Sequence, residues 1–360
     1  MSFPANETQP SAAVASISDT YSHSPHTATS YRMAGLFTFA LRLVVGWTYF
    51  SAFWRRVALE NKLIMDQPGY IGEKFNHFLP NALGIKPLIE YLVTHPEALW
   101  WNMVAFTIIE GIVGLFLMLG LFTRGMSIGV FKLAMGILLG SGWLGTTCLD
   151  EWQIGVLGVA AGFTIFFTGG GSFSLDAAIH RRRNKVPGRF GWLGSGPLPL
   201  SNTAISRITI AGAFGILFLT LFTNQYFHGG VWGKLHNKSV RPRLELSQAT
   251  LQGGKLSFEI YRVEGADVYG SFLIGISLHD AAGKEVLSLD GKALAQFPAE
   301  NIENRYVAKI KPGKHALIIP LGAKAMLHLK DERLRELPSG NYELVLTDVS
   351  GLMWKLPVHL

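Results

Sequence analysis

Five apolar stretches dominate the first two thirds of the chain: 33–54, 103–122, 126–144, 154–173 and 208–227. Each is close to the ~20 residues that cross a bilayer as a helix. Charges inside them are few: Arg42 in the first, Glu110 in the second, Lys132 in the third. After residue 230 the pattern changes to short alternating runs at 255–262, 272–279, 285–289, 306–309, 316–320, 342–347 and 353–358. Gly253-Gly254, Ala282-Gly283, Asp290-Gly291, Pro312-Gly313, Ser339-Gly340 and Ser350-Gly351 punctuate them. Alternation bounded by turn residues at this spacing predicts an antiparallel β-sandwich. The predicted architecture is therefore a membrane all-α bundle of about five transmembrane helices followed by an all-β sandwich. The expected boundaries are a disordered tail at 1–32, a bundle at 33–229 and a soluble domain at 230–360.

Composition sharpens this division. Of the 360 residues 49% are hydrophobic and only 16% charged, against about 25% charged in an ordinary soluble domain. Residues 1–229 hold 15 Lys+Arg and 11 Asp+Glu, while residues 230–360 hold 17 and 14, so the second part has the charge density of a soluble domain. Residues 1–30 are rich in Ser, Thr, Ala and Pro. They lack the basic-then-apolar start of a signal peptide. The net charge of +7 does not point to nucleic acid, because its basic residues flank the spans. The run His180-Arg181-Arg182-Arg183-Asn184-Lys185 places the loop between the fourth and fifth spans in the cytoplasm. Alternation then puts the amino terminus in the cytoplasm of a multi-pass inner-membrane protein. The 55–102 loop, the Cys148 loop and the carboxy-terminal domain fall on the periplasmic side. The length of the 55–102 loop and its amphipathic 88–93 piece predict packing over the outer mouth of the bundle.

Redox chemistry is constrained by a single cysteine, Cys148. No haem-attachment motif and no Fe–S ligand set exists. Gly169-Gly170-Gly171 follows a membrane helix, so it is no flavin or dinucleotide fingerprint. The histidines His77, His95, His228 and His236 show no metal-ligand spacing.

Three segments carry a family resemblance. The first span, with Leu41-Arg42-Leu43, Gly46 and Phe53, resembles the opening helix of DoxX-like membrane proteins. Glu110-Gly111 through Leu119-Gly120-Leu121-Phe122-Thr123-Arg124 resembles their second helix and turn. The segment Gly145-Thr146-Thr147-Cys148-Leu149-Asp150-Glu151-Trp152-Gln153-Ile154-Gly155 resembles the loop of DoxD, a subunit of thiosulfate:quinone oxidoreductase, and the β-rich tail resembles DoxA. The resemblance covers roughly 33–360, with the two subunits fused. It implies that two thiosulfates are joined to tetrathionate while a membrane quinone, as electron-accepting co-substrate, is reduced. A second copy of the chain or a terminal oxidase is left open as a further partner.

Within that frame each candidate residue has a plain alternative. Arg42 and Glu110 lie mid-span, and intramembrane charges face the bundle and a partner. They are expected to pair with each other, either as a structural ion pair or as an anion or quinone site with Glu110 accepting a proton. Arg55 and Arg56 either anchor to headgroups or bind thiosulfate, since a guanidinium fork matches an oxyanion. Asp150 and Glu151 either complement a helix start or act at the outer mouth. Cys148 either packs or attacks the sulfane sulfur, its thiolate favoured by a helix amino terminus and disfavoured by the two acids. Trp143 and Trp152 either form an aromatic belt or stack on quinone. Gly158 and Gly162 permit close helix packing, and Lys132 snorkels to the surface. The rival reading is a non-enzymatic DoxX-like anchor whose sandwich binds a partner or solute.

Overall fold

A computed structural model of the chain describes residues 25–67, 69–145, 150–183, 191–236, 240–266 and 271–359. Nine helices of the membrane part run in the order α1 (Pro25–Phe37), α2 (Phe39–Phe53), α3 (Glu73–Phe78), α4 (Lys86–Thr94), α5 (Pro96–Leu119), α6 (Thr123–Ser141), α7 (Asp150–Thr168), α8 (Leu175–Arg183) and α9 (Asn202–Phe227), counted among the described residues. The helix of α1 already begins at Pro25, inside the stretch expected to be a tail; proline suits a first helical turn because its missing N–H has no partner there anyway.

All five apolar stretches lie in helices, but they do not qualify equally as spans. α5, α7 and α9 are each long and apolar enough to cross a membrane, and α1 with α2 makes a fourth candidate bent by 54°. The bend falls at Thr38, whose hydroxyl donates to the Ala34 carbonyl at 3.1 Å, a back-bond that bends helices. α6 is not among the candidates. Its 19 residues carry Arg124 and Lys132, and several of its glycines dilute the apolar content. It is nevertheless embedded in the bundle, with Val130, Ala134 and Leu138 fully buried.

Two close approaches set the bundle. α2 and α5 run antiparallel and touch at Gly46 and Gly114, where an added Cβ would collide with the backbone of the opposing helix. α7 presents Gly155, Gly158 and Gly162 to Leu138, Ala134 and Phe131 of α6, so Gly158 and Gly162 serve the packing expected of them. α9 stands apart: the apolar stretch tested as a span buries none of its residues, and only Thr223 and Phe227 near its end are covered.

Ten strands follow among the described residues: β1 (Arg243–Gln252), β2 (Lys255–Glu264), β3 (Ser271–Asp280), β4 (Glu285–Asp290), then the short helix α10 (Gly291–Ala295), β5 (Ile302–Asn304), β6 (Lys311–Pro312), β7 (Leu317–Ile319), β8 (Lys324–Lys330), β9 (Asn341–Asp348) and β10 (Met353–His359). They form two antiparallel sheets, β1-β2-β8-β5 and β10-β9-β3-β7-β6, with β4 also on β3. Alternate residues such as Leu256, Phe258 and Ile260 on β2 and Leu344 and Leu346 on β9 fill one core between the sheets. β1 and β8 are strands that the alternation did not single out. The expected strand at 306–309 is instead irregular. Asn304 ties its ends together, donating to the Ile310 carbonyl at 3.2 Å and accepting from the Ile310 amide at 2.7 Å.

That irregular segment has another task, because it and the turn at 320–323 dock onto the membrane part. Asn76 of α3 is fully buried; it donates to the Gly322 carbonyl at 3.2 Å and accepts from the Ala308 amide at 3.1 Å. Asn81 donates to the Val263 carbonyl at 3.0 Å, and Tyr306 donates to Glu90 at 3.3 Å. Burial, followed by the Glu90 charge, pushes the Tyr306 phenol up to about 12. Leu321, fully buried, inserts among Leu138, Trp143, Leu144, Val156 and Phe227 at the ends of α6 and α9. The 55–102 segment thus lies between the bundle and the β-domain.

Candidate functional site

The buried charges of the bundle separate into two groups, one partway along α5 and one at the turn between α5 and α6. Trp54–Leu59 continues α2 as a π turn, a geometry that widens the helix and often marks functional positions. It directs Arg56 at Glu110 of α5, and the two form an ion pair. Glu110 is about 21 Å along the α5 axis from Pro96, at ~1.5 Å per residue, so the carboxylate lies deep in the span. The Arg56 guanidinium also lies 5.9 Å from the Phe106 ring centroid. Tyr49 is buried close enough to feel the Glu110 charge, with its hydroxyl beside Gly158. Thr107, one turn before Glu110 on the same face, is almost fully buried and its hydroxyl has no hydrogen-bond partner among the described residues. Thr48, Thr164, Thr168, Thr220 and Thr223 all back-bond to the carbonyl four residues earlier. An unsatisfied buried hydroxyl costs about 1–3 kcal/mol, which sets Thr107 apart from these threonines.

Arg42 is elsewhere. It donates to the carbonyls of Gly170 and Phe173 in the loop after α7, and its guanidinium lies 5.1 Å from the Phe39 ring centroid. The expected pairing of Arg42 with Glu110 is therefore corrected. With α2 and α5 antiparallel and touching at Gly46 and Gly114, Arg42 falls beside Gly120 while Arg56 falls beside Glu110. Nearby, buried Arg124 donates to the carbonyls of Phe166, Trp192 and Gly196. Asp176 accepts from the Phe122 and Thr123 amides and the Ser195 hydroxyl at 2.8, 3.0 and 2.9 Å. These contacts tie the turn end of the bundle together.

At the β-domain end, Arg55 is exposed and donates to its own helix at the Ser51 carbonyl at 3.3 Å. Asp150 is exposed and Glu151 half-buried in the first turn of α7. Cys148 lies outside the described residues. Trp152 donates to the Thr223 hydroxyl at 3.0 Å, joining α7 to α9. Trp143 is not a lipid-facing belt residue: it is 1% exposed and packed under Leu321. Among the described residues no three His, Cys, Asp or Glu side chains converge as a metal-binding set.

The sequence pattern singled out Glu110 and Arg56, and the fold brings them together. It missed Tyr49, Thr107 and Asn76. The threonine–glutamate spacing on an apolar helix was a visible signal for Thr107; nothing in the pattern marked Asn76.

Comparison with known families separates the same two parts. Residues 37–201 match the family model described as TQO small subunit DoxD, and residues 227–356 match that described as TQO small subunit DoxA.

Proposed function

Because the chain belongs to the thiosulfate:quinone oxidoreductase family, with a DoxD domain and a DoxA domain fused in one polypeptide, we propose that it oxidises two thiosulfates to tetrathionate at the periplasmic face and passes two electrons to membrane quinone. The observation that carries this reading is the presence of both subunit domains in one chain, docked through Asn76 and Leu321. The balance is two thiosulfate dianions plus quinone plus two protons giving tetrathionate plus quinol.

The chemistry of each part fits a division of labour. A hydrophilic dianion arrives from water, so its capture belongs at the β-domain end, where Arg55 is exposed on the π turn. Quinol formation takes up protons, and Glu110 with Arg56, Tyr49 and Thr107 is a buried polar cluster within the apolar bundle. Arg56 offsets part of the cost of burying the Glu110 carboxylate, and in this reading Glu110 is the group that passes a proton to the reduced quinone. Asp150 and Glu151 sit at the mouth next to Cys148 in sequence and serve substrate positioning. The basic 180–185 run supports a cytoplasmic location for the opposite end. The two-domain docking favours an enzyme assembled from both parts over a DoxX-like anchor carrying an independent binding domain.

The deciding experiment mixes purified full-length protein with thiosulfate and a short-chain quinone. Tetrathionate and quinol should appear in equal amounts. Absence of both, in protein that is folded and membrane-competent, overturns the reading.

A further inference from the structure

The β-domain leaves few large apolar side chains exposed, and it leaves them together. Among its described residues they are Phe272, Ile274, Val349 and Met353, the last two 60% and 61% exposed. All four lie at one end of the β10-β9-β3-β7-β6 sheet, where Phe272 pairs with Ile318, Leu273 with Asp348, and Met353 with Thr347. Side chains alternate between the two faces of a strand. Leu273 and Ile276 of β3 fill the core, and Phe272 and Ile274 stand on the outer face. Farther along that face the paired rows turn polar: Ser277 and Lys355 flank Val345, and His279 and Pro357 flank Glu343. Contiguous exposed apolar surface of this kind marks a contact with a membrane or a partner.

The apolar end is the one that meets the bundle. Ile319 pairs with Ser271 at the start of β3, and Leu321 follows two residues later, inserted among Leu138, Trp143 and Phe227. Ile318, beside Phe272, is thus within about 10 Å of Leu321 along the chain, at ~3.3 Å per residue. Phe227 closes α9, whose apolar spanning stretch buries none of its residues, so lipid reaches up to that level. The headgroup layer of one leaflet adds about 5–8 Å beyond the hydrocarbon, which brings it to the Phe272 end of the sheet.

The turn at this end is also built for scarce water, where every backbone donor needs a partner within the protein. Asp348, 2% exposed, accepts from the Phe272 amide at 3.0 Å, the Ser350 amide at 2.8 Å and the Ser271 hydroxyl. The Val349 amide donates to the Phe272 carbonyl, the Gly351 amide to the Asp348 carbonyl and the Asp348 amide to the Leu352 carbonyl, each at 2.9 Å. The successive amides of 348–351 are thus all satisfied internally, and no charged residue occurs between Asp348 and Lys355. We propose that the Phe272, Ile274, Val349 and Met353 end of the β-domain rests on the lipid bilayer beside α9, its apolar side chains entering the headgroup layer. Lys311, exposed and paired with Ile318, stands at the rim of the patch, where its ammonium suits a phosphate headgroup. The contact holds the β-domain at a second place, apart from the Asn76–Gly322 docking.

The test uses the full-length protein in phosphatidylcholine nanodiscs. Cys148→Ser removes the native thiol, and a fluorophore is attached at Ser350→Cys, which leaves the four apolar side chains intact. A nitroxide carried on the lipid acyl chain near the headgroup should remove at least half of this fluorescence. The same fluorophore at Lys284→Cys, in the turn at the opposite end of β3, should lose almost none. Adding Val349→Asp and Met353→Asp should reduce quenching at Ser350→Cys to the level of Lys284→Cys, while thermal unfolding reports that the fold is retained. Equal quenching at the two positions, or quenching that survives the double substitution, overturns the contact. An unquenched label at Ser350→Cys also overturns it, and crosslinking between two chains there would assign the patch to a second copy instead.

Discussion

Arg56 on the π turn and Glu110 on α5 form an ion pair across two antiparallel helices that meet at glycine. The close approach at Gly46 and Gly114 lets two charges meet deep in an apolar bundle, and it makes each dependent on the other.

Glu110→Gln leaves Arg56 as an uncompensated, largely covered cation against the apolar bundle. Breaking a buried pair costs about 3–5 kcal/mol, so this variant should unfold at markedly lower denaturant or temperature. The double change Glu110→Gln with Arg56→Met should recover most of the loss. A double-mutant cycle between Arg42 and Glu110 should show no coupling. A large Arg42–Glu110 coupling energy is the result that contradicts the observed pairing.

Arg42 is held by two backbone carbonyls through separate nitrogens. Lysine cannot reproduce that fork. Arg42→Lys should lose about 1.5–3 kcal/mol, the scale of one charge-assisted hydrogen bond, measured by thermal unfolding in detergent. Full stability in Arg42→Met would show that these contacts contribute nothing.

Gly322 has φ +73°, and a Cβ there would run into the backbone of Asn76. Gly322→Ala should therefore separate the β-domain from α3 without unfolding its core. Limited proteolysis should then cut between residues 228 and 243 faster than in wild type. An unchanged cleavage rate counts against Asn76 and Gly322 as the docking point.

Burial raises the Glu73 carboxyl above its ordinary 4.5, against the lowering influence of Lys311 and Lys309. A raised folded-state value means that the folded protein binds the proton more tightly than the unfolded chain. Glu73's contribution to stability is therefore full below the unfolded value and is lost as pH rises through the folded one. Glu73→Gln should raise the melting temperature by about 1–3 °C at pH 7 and change it little at pH 4. A gain at pH 4 equal to that at pH 7 reverses the sign of this linkage.

Two routes for thiosulfate differ at Cys148. Direct transfer predicts that Cys148→Ser keeps most turnover and that no mass adduct forms on Cys148. It also predicts that Arg55→Lys weakens thiosulfate use by roughly tenfold, because the planar fork is lost. Loss of turnover in a folded Cys148→Ser protein, together with an adduct on the wild-type thiol, establishes the covalent route instead.

Hydropathy alone determined the two-part architecture, because a bilayer demands runs of apolar residues and a sandwich demands alternation, and both are local properties of the chain. The five apolar stretches became helices, and six of the seven alternating runs became strands. Strands β1 and β8 escaped notice because mixed-polarity runs such as Arg243–Gln252 and Lys324–Lys330 show their buried face only once paired. Glu110 and Arg56 were legible as candidates, since a charge in an apolar span is costly and needs a partner. Which partner it takes was decided by tertiary structure. The helix contact at Gly46 and Gly114, and the π turn after Phe53, set a register that spacing along the chain does not contain. The docking of Asn76 into the β-domain, and the contact of His228 with the Gly142 carbonyl, join residues 86 to 246 positions apart. Such contacts arise from the packing of whole domains, and no local pattern records them.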